Sequence, residues 1–203
     1  MNSITVYCAS STSIDQEYHD VAKEVGQMIA SKGLRLIYGG GRIGLMGEVA
    51  TAAAHHGGEV IGVITQKFVE HEQANEKCDE LIIVNTMQER RSLMMAKGDA
   101  FLILPGGVGT YEEFFEVLVG RQIGDHTKPI GLVNVKKYFN PLQSMLEHGI
   151  NQHFMRPALR NLLLIDPCPT AVIDYLTSGA VSQPPPEEIL PMHESRQEPS
   201  IEG

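Results

Sequence analysis

Short apolar runs alternate along the chain with longer segments whose apolar residues recur at helical spacing, and this continues to about residue 177. The runs at 4–7, 34–38, 60–63, 81–84, 101–104, 130–133 and 162–165 are dominated by Val, Ile and Leu, with few charged residues among them. A strand with one wet face alternates apolar and polar residues, whereas a strand covered on both faces reads as an unbroken apolar run. Between the runs the period lengthens. Over 15–31, Val21, Ala22, Val25, Met28 and Ile29 fall on one helical face, and Gly33 supplies a left-handed stop. Over 45–56 an alanine-rich helix ends at Gly57-Gly58, and its slim side chains allow close packing on a sheet. Segments 87–97, 111–122, 141–148 and 169–177 supply the remaining helices. Strands alternating with helices in this way predict one doubly wound α/β domain over residues 1–180, a mostly parallel sheet of about seven strands with helices on both faces.

From Val181 onward the pattern stops. Pro184, Pro185, Pro186, Pro191 and Pro199 punctuate an acidic stretch without aromatic residues, which has too little apolar surface to order itself. Residues 181–203 are therefore expected to be a disordered tail. The full chain of 203 residues is 42% apolar, enough for a single core. Its net charge of −9 argues against a nucleic-acid partner or an anionic membrane surface. A small anion remains compatible with that charge, because a few backbone amides can hold it locally. Cys8, Cys78 and Cys168 are odd in number, far apart and without CxxC spacing, so neither a disulfide framework nor a zinc site is indicated. The first residues enter a strand pattern with no basic n-region, and no apolar run reaches the roughly 18 residues of a membrane span. A cytoplasmic protein is the expectation.

Two glycine-rich loops carry the candidate chemistry. The first, Gly39-Gly40-Gly41-Arg42-Ile43-Gly44, follows a strand, opens a helix and satisfies GxGxxG. A dinucleotide site also needs an acid at the end of the next strand to hold a ribose diol, but Glu59 opens that strand instead of closing it. The second, Pro105-Gly106-Gly107-Val108-Gly109-Thr110, has glycines where backbone must approach a ligand, and a threonine able to cap the following helix. It reads as a phosphate nest. Without the Lys-Ser or Lys-Thr of a P-loop, a triphosphate with magnesium is disfavoured. Glu112 and Glu113 follow at once. Acids in a first turn usually complement the helix dipole, yet two anions beside a phosphate are out of place unless one faces a sugar, a water or a developing positive charge. Arg90 and Arg91 open the helix before the fifth run, where cations oppose the dipole. That helix should also start at the C-terminal edge of the sheet, where ligands of open α/β sheets bind.

Together these residues resemble the Lonely Guy type of phosphoribohydrolase, long mislabelled as lysine decarboxylase, a Rossmann-like family with the motifs P-G-G-x-G-T-x-x-E and M-H-x-R-K. The first is matched in full by Pro105, Gly106, Gly107, Gly109, Thr110 and Glu113. The second appears as Met87-Gln88-Glu89-Arg90-Arg91, with Gln88 in place of histidine and Arg91 in place of lysine. Cys8-Ala9-Ser10-Ser11, Tyr38-Gly39-Gly40-Gly41 with Gly44-Leu45-Met46-Gly47, and Lys128-Pro129-Ile130-Gly131-Leu132 extend the likeness over residues 3–177. The resemblance implies hydrolysis of the N-glycosidic bond of an adenosine 5′-monophosphate, commonly N6-modified, to a free cytokinin-type base and ribose 5-phosphate. It implies catalytic roles for Arg90 and Glu113. Substrate and phosphate contacts are then expected from Ser10, Gly39, Gly40, Gly41, Met87, Arg91, Gly106, Gly107, Val108, Gly109, Thr110 and Glu112, with no metal or organic cofactor and a homodimer as the assembly. A general AMP nucleosidase shares every motif residue. Gln88 and Arg91 also keep open a nucleotide-binding carrier without turnover. His55, His56 and His126 lack partners at metal-ligand spacing and are expected at the surface. No lysine has the partner acid a pyridoxal-phosphate enzyme needs.

Overall fold

The apolar runs become seven parallel strands of one sheet: β1 (Ser3–Tyr7), β2 (Arg35–Tyr38), β3 (Val60–Thr65), β4 (Glu80–Val84), β5 (Phe101–Ile103), β6 (Ile130–Val133) and β7 (Leu164–Asp166). The helices between them are α1 (Gln16–Ser31), α2 (Gly44–His55), α3 (Gln66–Glu70), α4 (Met87–Lys97), α5 (Val108–Ile123), α6 (Asn140–Asn151) and α7 (Pro169–Thr177), with 3₁₀ turns at Val135–Lys137 and Pro157–Leu162. This computed structural model describes residues 1–71 and 73–179, so the expected tail at 181–203 lies outside the described residues. No helix among the described residues is long and apolar enough to cross a membrane.

The unbroken apolar runs hide a period of two. Along β1, Ile4 and Val6 enter the core shared with α1, α2 and α7, while Tyr7 enters the core on the opposite face. Along β5, Leu102 goes one way and Phe101 and Ile103 the other. Successive side chains of a strand point to opposite faces, and here both faces are covered, so apolar residues recur on both, with the buried Ser3 and Thr5 of β1 as polar exceptions.

The strand order is β4-β3-β2-β1-β5-β6-β7. From β4 at one edge, α4 carries the chain back to the centre and sets β5 beside β1, with Thr5 opposite Phe101. Winding reverses there. The loops leaving the C-terminal ends of β1 and β5 diverge and open a crevice, the place where sheets of this kind take ligands.

Most boundaries fall within two residues of expectation, and four differences are larger or change the picture. α5 starts at Val108, three residues before the expected 111, and its N-cap is Gly107. The glycines of the nest therefore lead directly into a helical turn, and Thr110 lies inside that turn instead of capping it. α6 runs on past 148 to Asn151, taking in Gly149, where a Cβ would lie 2.9 Å from Met155 Sδ. β7 begins at Leu164 because Leu162 belongs to the preceding 3₁₀ turn. The five-residue α3 is too short to leave a periodic signal.

Candidate active site

The crevice between β1 and β5 deepens into a cavity of about 390 Å³, within the span of small-molecule sites, about 300–1,000 Å³. One end is the start of α5, with Gly107, Val108, Gly109 and Thr110. Ser10 and Ser11 come from the loop after β1, and Gly39 and Gly41 from the loop after β2. Arg90 and Glu113, both buried, line the cavity as well. Backbone bonds tie the loops together: Ala9 N–H donates to the Pro105 carbonyl at 3.1 Å, and Met46 N–H to the Ala9 carbonyl at 3.3 Å.

α5 has no side-chain cap. The amides of its first turn have no helical carbonyl to bond, and the helix dipole points its positive end the same way, so this end favours an anion. The glycines here divide into two kinds. A Cβ on Gly106 would run into the Thr110 side chain, and the Gly106 carbonyl accepts from Tyr138 Oη at 2.6 Å. A Cβ on Gly107 or Gly109 would meet nothing within 4 Å. Gly107 has φ −84°, open to any residue. Among the described residues neither packing nor conformation requires glycine at 107 or 109, and their bareness leaves the helix end open to a ligand.

Arg90 reaches the cavity because α4 is firmly started. Thr86 Oγ1 accepts from Glu89 N–H at 3.1 Å, and Glu89 Oε2 accepts from Thr86 N–H at 3.3 Å, a capping box. With that start, Arg90 and Met94 face inward and are buried. The Arg90 guanidinium donates from Nε to the Val63 carbonyl at 2.9 Å, from Nη2 to the Gly39 carbonyl at 3.2 Å and from Nη1 to Glu113 Oε1 at 3.0 Å. Gly39 is bare for this reason, since a Cβ there would overlap the guanidinium. Each side chain of the Arg90–Glu113 pair is only 9% exposed. Burial pushes the Glu113 carboxyl up to about 7 against the opposing pull of Arg90. Burial likewise raises Tyr7 and Cys8, which line the cavity beside it.

Of the residues singled out from the sequence, Ser10, Gly39, Gly41, Met87, Arg90, Gly107, Val108, Gly109, Thr110 and Glu113 line this cavity. Gly40, Gly106, Arg91 and Glu112 do not. Gly40 takes φ +71° and packs against Ile64 and Leu81. Arg91 pairs with Glu112 at 2.9 Å and with Glu116 at 2.9 Å, joining α4 to α5. The two neighbouring acids are thus separated in task, each facing its own arginine on α4. Gln88 is exposed and off the cavity, so neither departure from the family motif touches it. Met46, Ile64, Phe68, Gln73 and Met94 also line it. Of these, Met46 falls in the Gly44-Leu45-Met46-Gly47 stretch of the first glycine loop, and no motif marks the other four, although the Thr-x-x-Glu of the capping box at 86–89 was readable. His55 and His56 are exposed as expected, but His126 is half-buried, its ring edge-on to Phe101 and bonded to the Val117 carbonyl at 2.9 Å.

A family model described as possible lysine decarboxylase matches residues 46–176. A probable cytokinin riboside 5′-monophosphate phosphoribohydrolase of Oryza sativa subsp. japonica is 38% identical over 191 residues, covering 94% of this chain and 74% of the relative. The cytokinin riboside 5′-monophosphate phosphoribohydrolase of Rhodococcoides fascians is 44% identical over 164 residues, covering 80% and 83%. Among solved structures, the molybdenum cofactor carrier protein of Chlamydomonas reinhardtii superposes with a TM-score of 0.66 at 19% identity, covering 88% of this chain and 99% of that one, a likeness of fold alone. With the family model matched across most of the domain and relatives this similar over most of their own length, the chain belongs to the family of cytokinin riboside 5′-monophosphate phosphoribohydrolases.

Proposed function

We propose that the protein hydrolyses the N-glycosidic bond of N6-modified adenosine 5′-monophosphates, releasing the base and ribose 5-phosphate. The observation that carries this reading is the buried Arg90–Glu113 pair facing a cavity whose one end is a bare helix N-terminus. A phosphate on the α5 amides, assisted by Thr110 and by Ser10 across the crevice, sets the ribose over Glu113 and so aligns the scissile bond. As the bond from C1′ to the purine nitrogen breaks, its electron pair leaves with the base and positive charge grows on the ribose. The Glu113 carboxylate stabilises that charge and takes a proton from the water attacking C1′, and the departing base gains a proton in exchange. A carboxyl near pH 7 suits a base that must gain and lose a proton at neutrality. Arg90 spends three donors on Val63, Gly39 and Glu113, leaving two of its five N–H groups for the nucleotide.

No lysine is among the described residues lining the cavity, which offer no Schiff-base partner for the decarboxylase chemistry in the family model's description. Gln88 and Arg91 stand clear of the cavity, which removes the main support for a carrier without turnover. We further assign the working unit to residues 1–180, acting as a cytoplasmic homodimer, with 181–203 outside it. Purified protein incubated with AMP and with N6-isopentenyl-AMP should release free base and ribose 5-phosphate. Glu113→Gln should abolish release while retaining nucleotide binding, and Arg90→Ala should lose both. Failure of the wild type on both substrates would sink the hydrolase reading.

A further inference from the structure

We infer that Phe68 and Gln73 determine which base the cavity accepts, Gln73 bonding the exocyclic amino edge of the purine and Phe68 receiving the N6 substituent. This rests on the phosphoribohydrolase reading and goes beyond its motifs, which contain neither residue.

Strand order sets the order of the cavity walls. β5 leads into the α5 end, β1 lies next to it, and the loops after β2 and β3 form the far side. A nucleotide with its phosphate on α5 and its C1′ at Glu113 sends its base toward that far side. There Met46, Ile64 and Phe68 supply apolar surface, and Gln73 is the only carboxamide among the described lining residues.

Gln73 is held by backbone bonds that leave its side chain unspent. Its N–H donates to the Phe68 carbonyl at 3.1 Å, its carbonyl accepts from Arg42 N–H at 2.9 Å, and Asn75 N–H donates to the Gly40 carbonyl at 2.9 Å. An antiparallel bridge between Gly41 and Ala74 completes the strap onto the first glycine loop. No hydrogen-bond partner for the side-chain amide is seen among the described residues. A carboxamide offers one donor and one acceptor side by side, and adenine offers a ring-nitrogen acceptor beside an amino donor. Lysine or glutamate would satisfy only half of that edge. An N6-alkyl adenine keeps one amino hydrogen, so the Gln73 contact survives while the alkyl chain falls against the ring of Phe68. Phe68 sits on α3, none of whose residues is fully buried, so the wall can vary without disturbing the core.

The test compares full-length wild type, Phe68→Ala and Gln73→Ala on three nucleotides: AMP, N6-isopentenyl-AMP and purine riboside 5′-monophosphate, which lacks the amino group. Phe68→Ala should lower kcat/KM for N6-isopentenyl-AMP relative to AMP by about tenfold or more. Gln73→Ala should lower AMP relative to the desamino nucleotide by about tenfold. An unchanged ratio in either variant, or an equal fall on all three nucleotides, overturns the assignment. Calorimetric affinities read the same ratios without turnover. A wild type that releases no base therefore defeats the hydrolase reading, while the binding ratios still decide this one. Should Phe68→Ala not fold, Phe68→Leu carries the same expectation with a smaller change.

Discussion

Glu113 sits where burial opposes its charge and a single arginine restores part of it. The carboxyl stands near pH 7, above the ordinary carboxylate value of 4.5. Two pH dependences of opposite sign follow. Turnover that needs the carboxylate should rise in kcat/KM as pH passes 7 and then level. Stability runs the other way: the folded state holds this proton more tightly than the unfolded chain does, so the contribution is complete below 4.5 and is lost as pH rises through about 7. Nucleotide-free wild type should therefore melt at progressively lower temperature from about pH 5 to about pH 8, with Glu113→Gln lacking this component. Melting series on both proteins check it, and identical slopes would remove Glu113 as the source. Glutamine is the informative change because it keeps an acceptor for Arg90 Nη1. Alanine would leave a buried guanidinium uncompensated, at a cost of about 3–5 kcal/mol. The sequence motifs point to both residues. That they bond one another, and that Gly39 is bare to make room for Arg90, are contacts between distant segments that no local pattern encodes.

At the scale of elements, α1 and α2 show what small residues accomplish. The alanines of α2 suggest close packing on the sheet, and the structure adds a second partner, Gly26 of α1. A Cβ on Gly26 would overlap the Val49 carbonyl and lie 3.0 Å from Ala52 Cβ. The helices approach so closely that even a methyl group must displace backbone. Gly26→Val should cost about 1–3 kcal/mol by overpacking, beyond its helix-propensity effect. Urea unfolding measures this, and a variant as stable as wild type would show that the contact yields cheaply. The contact lies on the α1–α2 side of the sheet, so base release by the folded variant should persist. Elements of this size were legible because their apolar period spans several turns. The start of α5 was not: residues 108–110 hold one apolar residue and a glycine, and propensity reads them as loop. Tertiary structure overrides it, since the Gly106 carbonyl is fixed by Tyr138 from the loop after β6.

At the scale of the molecule, alternating runs and helices declare the doubly wound class but leave the strand order open, because right-handed crossovers permit several. Only the order actually taken places the loops after β1, β2 and β5 around one crevice. It also leaves α5 with two faces of different character. Inward, it carries Glu113 and its N-terminal amides. Outward, it exposes Val108 at 88%, Val119 at 49% and Ile123 at 51%. Val108 both lines the cavity and stands in solvent. A second copy covering this face would bury that apolar surface and reach the cavity rim in the same act, and a stable contact of this kind needs about 1,200–2,000 Å² in total. The solution mass should accordingly be twice the chain's 22.3 kDa. Ile123→Glu should shift the protein to monomer by setting a charge where apolar surface must be buried, and base release should fall although the Arg90–Glu113 pair is untouched. Light scattering with a parallel activity assay decides it. A monomeric wild type would refute the dimer, and a monomeric variant with full turnover would show that each cavity is complete within one chain.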